Sequence, residues 1–322
     1  MKRALLPILT LVLLAACGSG SGDLGPIATP ASTGQASLEP PTAEPTPGAT
    51  QDPGGSPAPS DGPTRTPKPD PTLPPPPDNT IVRAYYFLGS FSDNAGLTPV
   101  LREVPKTQAV GAAAMNALLA GPNESELGAR PAMYTTIPEG TRLLGLRIEG
   151  GIATVNLSRE FESGGGSASV LGRLAQVVFT LTQFPTVHGV RFELDGEPVE
   201  VFGGEGVVLS EPVGRDDYYD QLPTIYLERP AWGGVPNNPA RVLGLANTFE
   251  GTFQVRIRDG RGRTLAEGPV MATCGTGCWG TFETFVPYTV QTPGWGSIEV
   301  FELSAADGSE VNKTEYPIWL TP

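Results

Sequence analysis

The fold of the first half of this chain is decided by a stretch that reads LLGLRIEGGIATVNL, residues 143–157. Apolar residues alternate with polar or small ones on both sides of the turn Glu149–Gly151, as they do along one face of a strand. The alternating residues are Leu144, Leu146, Ile148, Ala153, Val155 and Leu157. The stretch therefore predicts a β-hairpin.

Helices are predicted before and after this hairpin. Gln108 to Ala120 is rich in alanine and leucine and stops at Gly121-Pro122, a normal helix end. A second helix opens after Gly164–Ser167 and ends before Pro185. One face of this helix is apolar. That face carries Val170, Leu171, Leu174, Val177, Val178 and Leu181.

Further strands complete this half of the chain. Ile81 to Leu88 and Val190 to Leu194 have strand character, and Asp195-Gly196 is a turn after which Val199 to Phe202 is expected to pair back. The order β-α-β-β-α-β with a trailing strand predicts an α+β sandwich over residues 79–212.

The pattern changes after a connector at residues 213–223. Residues 224–322 carry about seven short strands separated by turns such as Asp259–Gly262, and they show no helical period. This predicts an all-β immunoglobulin-like sandwich.

The N-terminus has the features of an export signal. Residues 1–16 begin with Lys2 and Arg3 and continue as an apolar run that is too short to cross a bilayer. Leu14 to Cys17 resembles the lipobox of bacterial lipoproteins, and that resemblance implies that Cys17 is acylated. The expected location is extracytoplasmic, lipid-anchored to the bacterial membrane. The alternative is a plain secretory signal followed by a chance cysteine.

Residues 17–78 are expected to be a disordered tether. The segment 18–78 contains seventeen prolines and no aromatic residue, so it has little apolar surface to bury. The less favoured interpretation is that this segment is a proline-rich ligand for a partner domain.

Charge and cysteine usage limit the partners. The net charge of −13 argues against nucleic acid and against direct adhesion to anionic lipid heads.

Cys274 and Cys278 flank Gly275-Thr276-Gly277, and we expect a disulfide there. A zinc site needs four ligands, and the single histidine, His188, lies in the other domain.

No catalytic set is expected. His188 is interpreted as a capped or solvated residue at a strand edge, and Gly275 to Gly280 matches G-x-G-x-x-G without the strand and helix that a dinucleotide site requires. A glycosidase needs two carboxylates, and Glu160 and Glu162 are a pair that could serve. The favoured interpretation is that both lie in a solvated loop.

Neither a metal nor a cofactor is expected. The acidic residues Asp216, Asp217 and Asp220 lack the regular ligand spacing of a calcium loop, so a solvated hinge is favoured.

Two features suggest binding. Asn123 to Tyr134 is predicted to be a loop between a helix and a strand, where binding residues often lie. Four tryptophans lie in the second half of the chain. We expect them to be core or strand-face residues; the alternative is that an exposed pair binds sugar rings or a partner surface. They are Trp232, Trp279, Trp295 and Trp319.

Residues 79–202 resemble GerMN, the sporulation and spore-germination domain. The resemblance lies in the order and spacing of several short motifs. They are Thr98-Pro99-Val100 with Arg102, Leu118-Leu119 with Gly121-Pro122, Ile137-Pro138-Glu139-Gly140-Thr141, Ala153-Thr154-Val155-Asn156-Leu157 with Phe161, Gln176 through Thr182 ahead of Phe184-Pro185, and Asp195-Gly196.

Residues 224–322 resemble the immunoglobulin-like domain found after GerMN in bacterial lipoproteins. The matching residues are Gly244, Ala246, Phe249-Glu250-Gly251, Gly280 with Phe282, Val300-Phe301-Glu302 with Ser304-Ala305, and Asp307-Gly308-Ser309. Cys274 and Cys278 are not part of that pattern.

These observations lead to one expected function. The chain is expected to be a non-catalytic cell-envelope lipoprotein with two protein- or cell-wall-interaction modules, attached to the membrane through its N-terminal lipid. The resemblance to GerMN implies an envelope process of the sporulation or germination type. Its partner would be an envelope protein or peptidoglycan. The alternatives are a cell-wall glycosidase or amidase, and a solute-binding lipoprotein of a transporter.

Overall fold

The structure, a computed structural model, describes residues 78–89 and 96–322. The predicted signal peptide, Cys17 and nearly all of the predicted tether lie outside the described residues. The described residues comprise a mixed α/β part followed by an all-β part, and both belong to the same compact unit. The predicted fold class is confirmed.

The first part contains strands, two long helices and one short helix. They are β1 (Asn79–Leu88), β2 (Leu97–Pro105), α1 (Val110–Leu119), α2 (Glu124–Leu127), β3 (Met133–Tyr134), β4 (Leu143–Glu149), β5 (Ile152–Leu157), α3 (Ser167–Leu181), β6 (Gly189–Leu194), β7 (Glu197–Pro198), β8 (Val201–Phe202) and β9 (Val207–Val208). Two 3-10 helices follow β5 and β9, at Arg159–Glu162 and Asp216–Gln221.

The strands of this part form two main sheets and a small ribbon. The sheet orders are β2-β1-β3 and β4-β5-β6-β7, and β8 pairs with β9. The predicted hairpin is β4 and β5, with Ile148 opposite Ala153, and β6 joins β5 in parallel. Helices α1 and α3 pack against each other and against β1, while α1 also contacts β4 and α3 contacts β6.

Strand β2 is a regular strand that the sequence pattern did not predict. Pro99 lies opposite Tyr85 in the register with β1, and a proline has no N–H to donate to a ladder. Its carbonyl instead accepts a hydrogen bond from the Trp232 N–H at 3.0 Å. The side of Pro99 that lacks an N–H therefore faces away from β1.

The strand after β6 also differs from its prediction. Asp195 and Gly196 both have positive φ, at 49° and 88°, which produces a two-residue turn. Such a tight turn pairs the residues immediately after it, so Glu197–Pro198 returns along β6. The Val199 N–H continues this pairing, as predicted, by donating to the Phe192 carbonyl at 3.0 Å, whereas Val201–Phe202 pairs with Val207–Val208.

The second part is an antiparallel sandwich of seven strands. They are β10 (Ile225–Arg229), β11 (Ala240–Ala246), β12 (Thr252–Asp259), β13 (Thr264–Met271), β14 (Gly280–Val286), β15 (Gly294–Leu303) and β16 (Glu310–Leu320). The two sheets have the orders β10-β11-β14 and β13-β12-β15-β16. The segment between β13 and β14, which holds both cysteines, therefore crosses from one sheet to the other.

Candidate functional site

A buried polar cluster joins the two parts. Glu228 of β10 accepts hydrogen bonds from the Tyr85 hydroxyl at 2.8 Å, from Arg215 Nη1 at 3.1 Å and from the Tyr226 hydroxyl. Arg215 also donates to the Phe179 carbonyl of α3 at 3.2 Å. The Glu228 carboxylate thus bonds directly to residues of β1, the connector and β10, and Arg215 extends the cluster to α3.

The charges of this cluster stabilise one another. Burial by itself would raise the pKa of Glu228, but the Arg215 and Arg83 guanidinium groups and the two tyrosine hydroxyls hold it below its usual value. Burial, followed by the charge of Glu228, raises the pKa of Tyr85. The cluster is therefore an ion pair with neutral tyrosines around it, which suits a structural junction rather than proton transfer.

Trp232 makes the second contact across the junction. Its side chain is 6% exposed, and its backbone forms a parallel bridge to Val100 of β2. The Tyr316 hydroxyl lies 3.4 Å from Thr98 Oγ1 nearby. This tryptophan, one of the four binding candidates, is a core residue of the junction.

An open groove lies along the junction. It comprises two adjoining depressions of 550 Å³ and 390 Å³ that share Leu88, Pro131 and Glu315. The predicted binding loop Asn123–Tyr134 reaches it through Ala129, Arg130 and Pro131. Both parts of the chain therefore contribute to one concave surface.

The start of that loop is firmly held. Glu126 is 2% exposed and receives both Nη atoms of Arg102 at 2.6 Å. It also accepts the Asn123 N–H at 2.8 Å, while Asn123 Oδ1 accepts the Glu126 N–H at 3.0 Å, a capping box. These contacts fix the start of the loop, which precedes the groove-lining residues Ala129, Arg130 and Pro131.

The structure places the remaining catalytic candidates apart from this groove. His188 is exposed, and its ring lies beside Gly151 in the β4–β5 turn. Glu160 is exposed, and a hydrogen bond from Ser158 lowers the pKa of its carboxyl, the opposite of what a general acid needs. Glu162 accepts a hydrogen bond from the Gly203 N–H at 3.2 Å.

The three aspartates of the connector point to solvent. Asp216, Asp217 and Asp220 are exposed on the 3-10 helix, whereas Tyr218 of the same turn is buried. Within residues 78–89 and 96–322, no group of three or more His, Cys, Asp or Glu side chains is arranged to hold a metal ion. No helix in the same residues is long and apolar enough to span a bilayer.

Cys274 and Cys278 form a disulfide, with their Cα atoms 5.9 Å apart. The crossing segment that it closes rests on the chain before β12, where the Thr276 N–H donates to the Thr248 carbonyl at 2.8 Å. Gly275 and Gly277 of the G-x-G-x-x-G match lie in this segment, and the third glycine, Gly280, begins strand β14, where a dinucleotide site would have a helix.

The other three tryptophans are half-buried on the sandwich. Trp279 packs against Tyr219 of the connector, with ring centroids 5.6 Å apart. Trp295 and Trp319 meet edge to face at 5.4 Å on neighbouring strands. Trp295 and Trp319 are strand-face residues, whereas Trp279 directly precedes β14.

Two residues of this junction, Arg215 and Glu228, were not predicted as functional residues from the sequence. Neither belongs to a periodic set, because their partners lie far away along the chain. The available hint was a charged residue, Glu228, directly after the buried apolar run Ile225–Leu227. Such a charge needs a partner.

The fold and the junction define a two-domain protein in which a mixed α/β domain is followed by an immunoglobulin-like sandwich. Residues 84–200 match the family model described as sporulation and spore germination. Residues 224–309 match the model described as the immunoglobulin-like domain of bacterial spore germination. The chain thus carries a GerMN domain followed by a spore-germination immunoglobulin-like domain, and neither description states an enzymatic activity.

Individual relatives are also similar to parts of this chain. Lipoprotein LpqB of Thermobifida fusca (strain YX) is 31% identical over 129 residues, which is 39% of this chain and only 20% of that protein. A crystal structure of a Clostridium perfringens chain described as a lipoprotein has a TM-score of 0.31 at 22% identity, over 45% of this chain and 93% of that one. The first GerMN domain of the Bacillus subtilis sporulation protein GerM has a TM-score of 0.36 at 18% identity, over 43% of this chain and 99% of that one.

Proposed function

We propose that this chain is a lipid-anchored protein of the bacterial envelope that holds its two domains outside the membrane as one non-catalytic binding unit. The observation that carries the proposal is the junction groove, which is lined by both domains. The two germination-type domains and the similarity to a lipoprotein support the envelope setting.

The proposal assigns a role to each segment. Residues 1–16 direct export, Cys17 carries the lipid, and the remainder of 17–78 is the tether. The GerMN domain at 79–212 and the sandwich at 224–322, joined by the connector 213–223, then bind an envelope protein or peptidoglycan.

The binding role is tested by crosslinking in intact cells of the native species. A photoreactive amino acid at Glu315, in the groove, is expected to trap one dominant partner that is then identified by mass spectrometry. The same residue at Arg191, exposed on β6 and away from the groove, is the matched control. Equal trapping at both positions, or none at Glu315, would contradict the groove as the binding surface.

The anchor is tested separately. Metabolic labelling with an alkyne fatty acid is expected to mark the native chain and to leave the Cys17→Ser chain unmarked. Labelling of both chains, or of neither, would contradict acylation at Cys17.

A second candidate function is favoured by the same groove. Depressions of 550 Å³ and 390 Å³ between two domains are large enough for a small solute. Retention of a metabolite by the purified native chain, rather than of an envelope macromolecule, would favour this solute-binding role.

A further inference from the structure

A separate pocket at the domain junction is lined by three arginines. It has a volume of 210 Å³ and draws Arg83 from β1, Arg229 from the end of β10 and Arg241 from the start of β11. Leu101 and the segment Gly234–Asn237 form much of the rest of its wall. It shares no lining residue with the groove described above.

The positive charge of this pocket is only partly neutralised within the described residues. Arg241 pairs with Glu283 at 2.6 Å. Arg83 Nε lies 3.6 Å from Glu228, makes no hydrogen bond, and shares that carboxylate with Arg215. Arg229 is exposed, and its side chain makes neither an ion pair nor a hydrogen bond with any described residue, although the charge of Glu228 acts on it.

The arginines also repel one another. Partial burial, then the neighbouring charges of Arg83 and Arg241, lower the pKa of Arg229. Like charges held together without enough counter-charge form an unfavourable arrangement that a bound anion relieves. The chain as a whole has 34 acidic and 21 basic residues. Three arginines around one pocket are therefore a local excess of positive charge in an acidic protein.

We propose that this pocket binds the phosphate group of an anionic ligand. Guanidinium groups offer paired N–H donors that match phosphate oxygens. A phosphate monoester carries about −1.5 to −2 at pH 7, which suits several arginines better than a single carboxylate does. The pocket has room for the phosphate and a short attached group, and the inference stands whether or not Cys17 is acylated.

The test uses the full-length Cys17→Ser chain, which has no acylation site, in isothermal titration at physiological salt. Orthophosphate and glycerol 3-phosphate are expected to bind saturably, and acetate much more weakly. Arg229→Gln is expected to weaken phosphate binding by about tenfold, the loss of one charge-assisted contact. Because Arg229 is exposed and unpaired, this variant is expected to fold normally, which circular dichroism checks.

The matched control is Arg191→Gln, which removes the same charge from an exposed arginine on β6. It is expected to bind phosphate as the parent chain does. The proposal is overturned if the parent chain shows no saturable phosphate binding, if acetate binds as tightly as phosphate, or if Arg229→Gln and Arg191→Gln behave alike.

Vesicle flotation then identifies the source of the phosphate. Vesicles of phosphatidylcholine with phosphatidic acid, whose headgroup is a phosphate monoester, are compared with phosphatidylcholine alone. Flotation that needs phosphatidic acid and is lost in Arg229→Gln supports a lipid headgroup. Binding of glycerol 3-phosphate without such flotation supports a soluble phosphate monoester.

Discussion

At the scale of single residues, Glu228 connects the two domains through its carboxylate. Its side chain is 14% exposed and contacts groups from β1, the connector and its own strand. Removing one partner of a buried ion pair leaves the other charge without compensation, which costs more than the pair contributes by forming. The whole cluster therefore depends on this carboxylate.

Replacing this carboxylate by its neutral isostere tests that dependence. Glu228→Gln is expected to lower the free energy of unfolding by about 3–5 kcal/mol, because Arg215 stays buried without its counter-charge. Urea denaturation at pH 7 measures the change. Glu211→Gln, at a carboxylate that is 87% exposed, is the control and is expected to change the free energy by less than about 1 kcal/mol. Equal effects of the two substitutions would refute the role of Glu228.

The same residue makes a prediction about pH. The native pKa of Glu228 is lowered, so its contribution is complete above the unfolded value of about 4.3 and is lost as pH falls through the native value. The stability difference between the parent and Glu228→Gln should therefore be large at pH 7 and should shrink as the pH falls below 4. Urea denaturation of both chains at pH 7 and at the lowest pH where both still fold measures this. A difference that does not change with pH would show that the carboxylate is not charged in the folded state.

At the scale of elements, the hairpin β4–β5 depends on its two turn glycines. Gly150 and Gly151 both have positive φ, at 56° and 84°. A Cβ atom on Gly150 would meet nothing within 4 Å, whereas one on Gly151 would fall 1.9 Å from the His188 ring. The turn and the start of β6 are therefore packed together, and this packing is the structural role of His188.

Alanine at each glycine separates backbone strain from this contact. Gly150→Ala is expected to cost about 1 kcal/mol from the left-handed backbone alone. Gly151→Ala should cost more, because its φ of 84° lies further from the left-handed region that alanine tolerates and because the His188 ring must move aside, and adding His188→Ala should recover the second part of the loss. Thermal unfolding of the three variants measures these differences. Equal losses for both single variants would contradict the packing of His188 on the turn.

The crossing segment between β13 and β14 gives a second prediction at this scale. Closing so short a loop should stabilise the fold by about 2 kcal/mol. The double substitution Cys274→Ser with Cys278→Ser is expected to lose that amount, as measured by urea denaturation. Thiol labelling of the unreduced chain should leave both cysteines unmodified, and labelling of either one would show that they are not bridged.

At the scale of the whole molecule, the two domains are joined by a buried interface. Trp232, the Glu228 cluster and the contact of Tyr316 with Thr98 link strands β1 and β2 to the sandwich. Domains connected by an exposed linker usually unfold independently. A shared core instead couples their unfolding.

Calorimetry tests this coupling. The described domains are expected to unfold in a single transition, with calorimetric and van't Hoff enthalpies that agree. Trp232→Ala, which leaves a cavity at the junction, should split the transition into two. Trp319→Ala, at a half-buried tryptophan whose ring packs on Trp295 of the neighbouring strand, should lower the transition temperature without splitting it. Two separate transitions in the parent chain would contradict the coupling.

The sequence by itself determined the elements that depend on neighbouring residues. Alternating residues and a glycine turn predicted β4 and β5, helical spacing predicted α3, and Asp195-Gly196 predicted the turn after β6. Short strands with regular turns predicted the sandwich. Each of these patterns lies within some fifteen residues of chain, where the strand and helix periods are readable.

Only the tertiary structure decided what happens between distant residues. Strand β2 was missed because a proline has no N–H for a ladder, and only the tertiary structure shows that this edge of Pro99 faces away from β1. Tyr85 and Glu228 are 143 positions apart, and the three arginines of the junction pocket come from both domains. Which side chains meet at the junction depends on how two separately patterned domains pack, and no local periodicity encodes that packing.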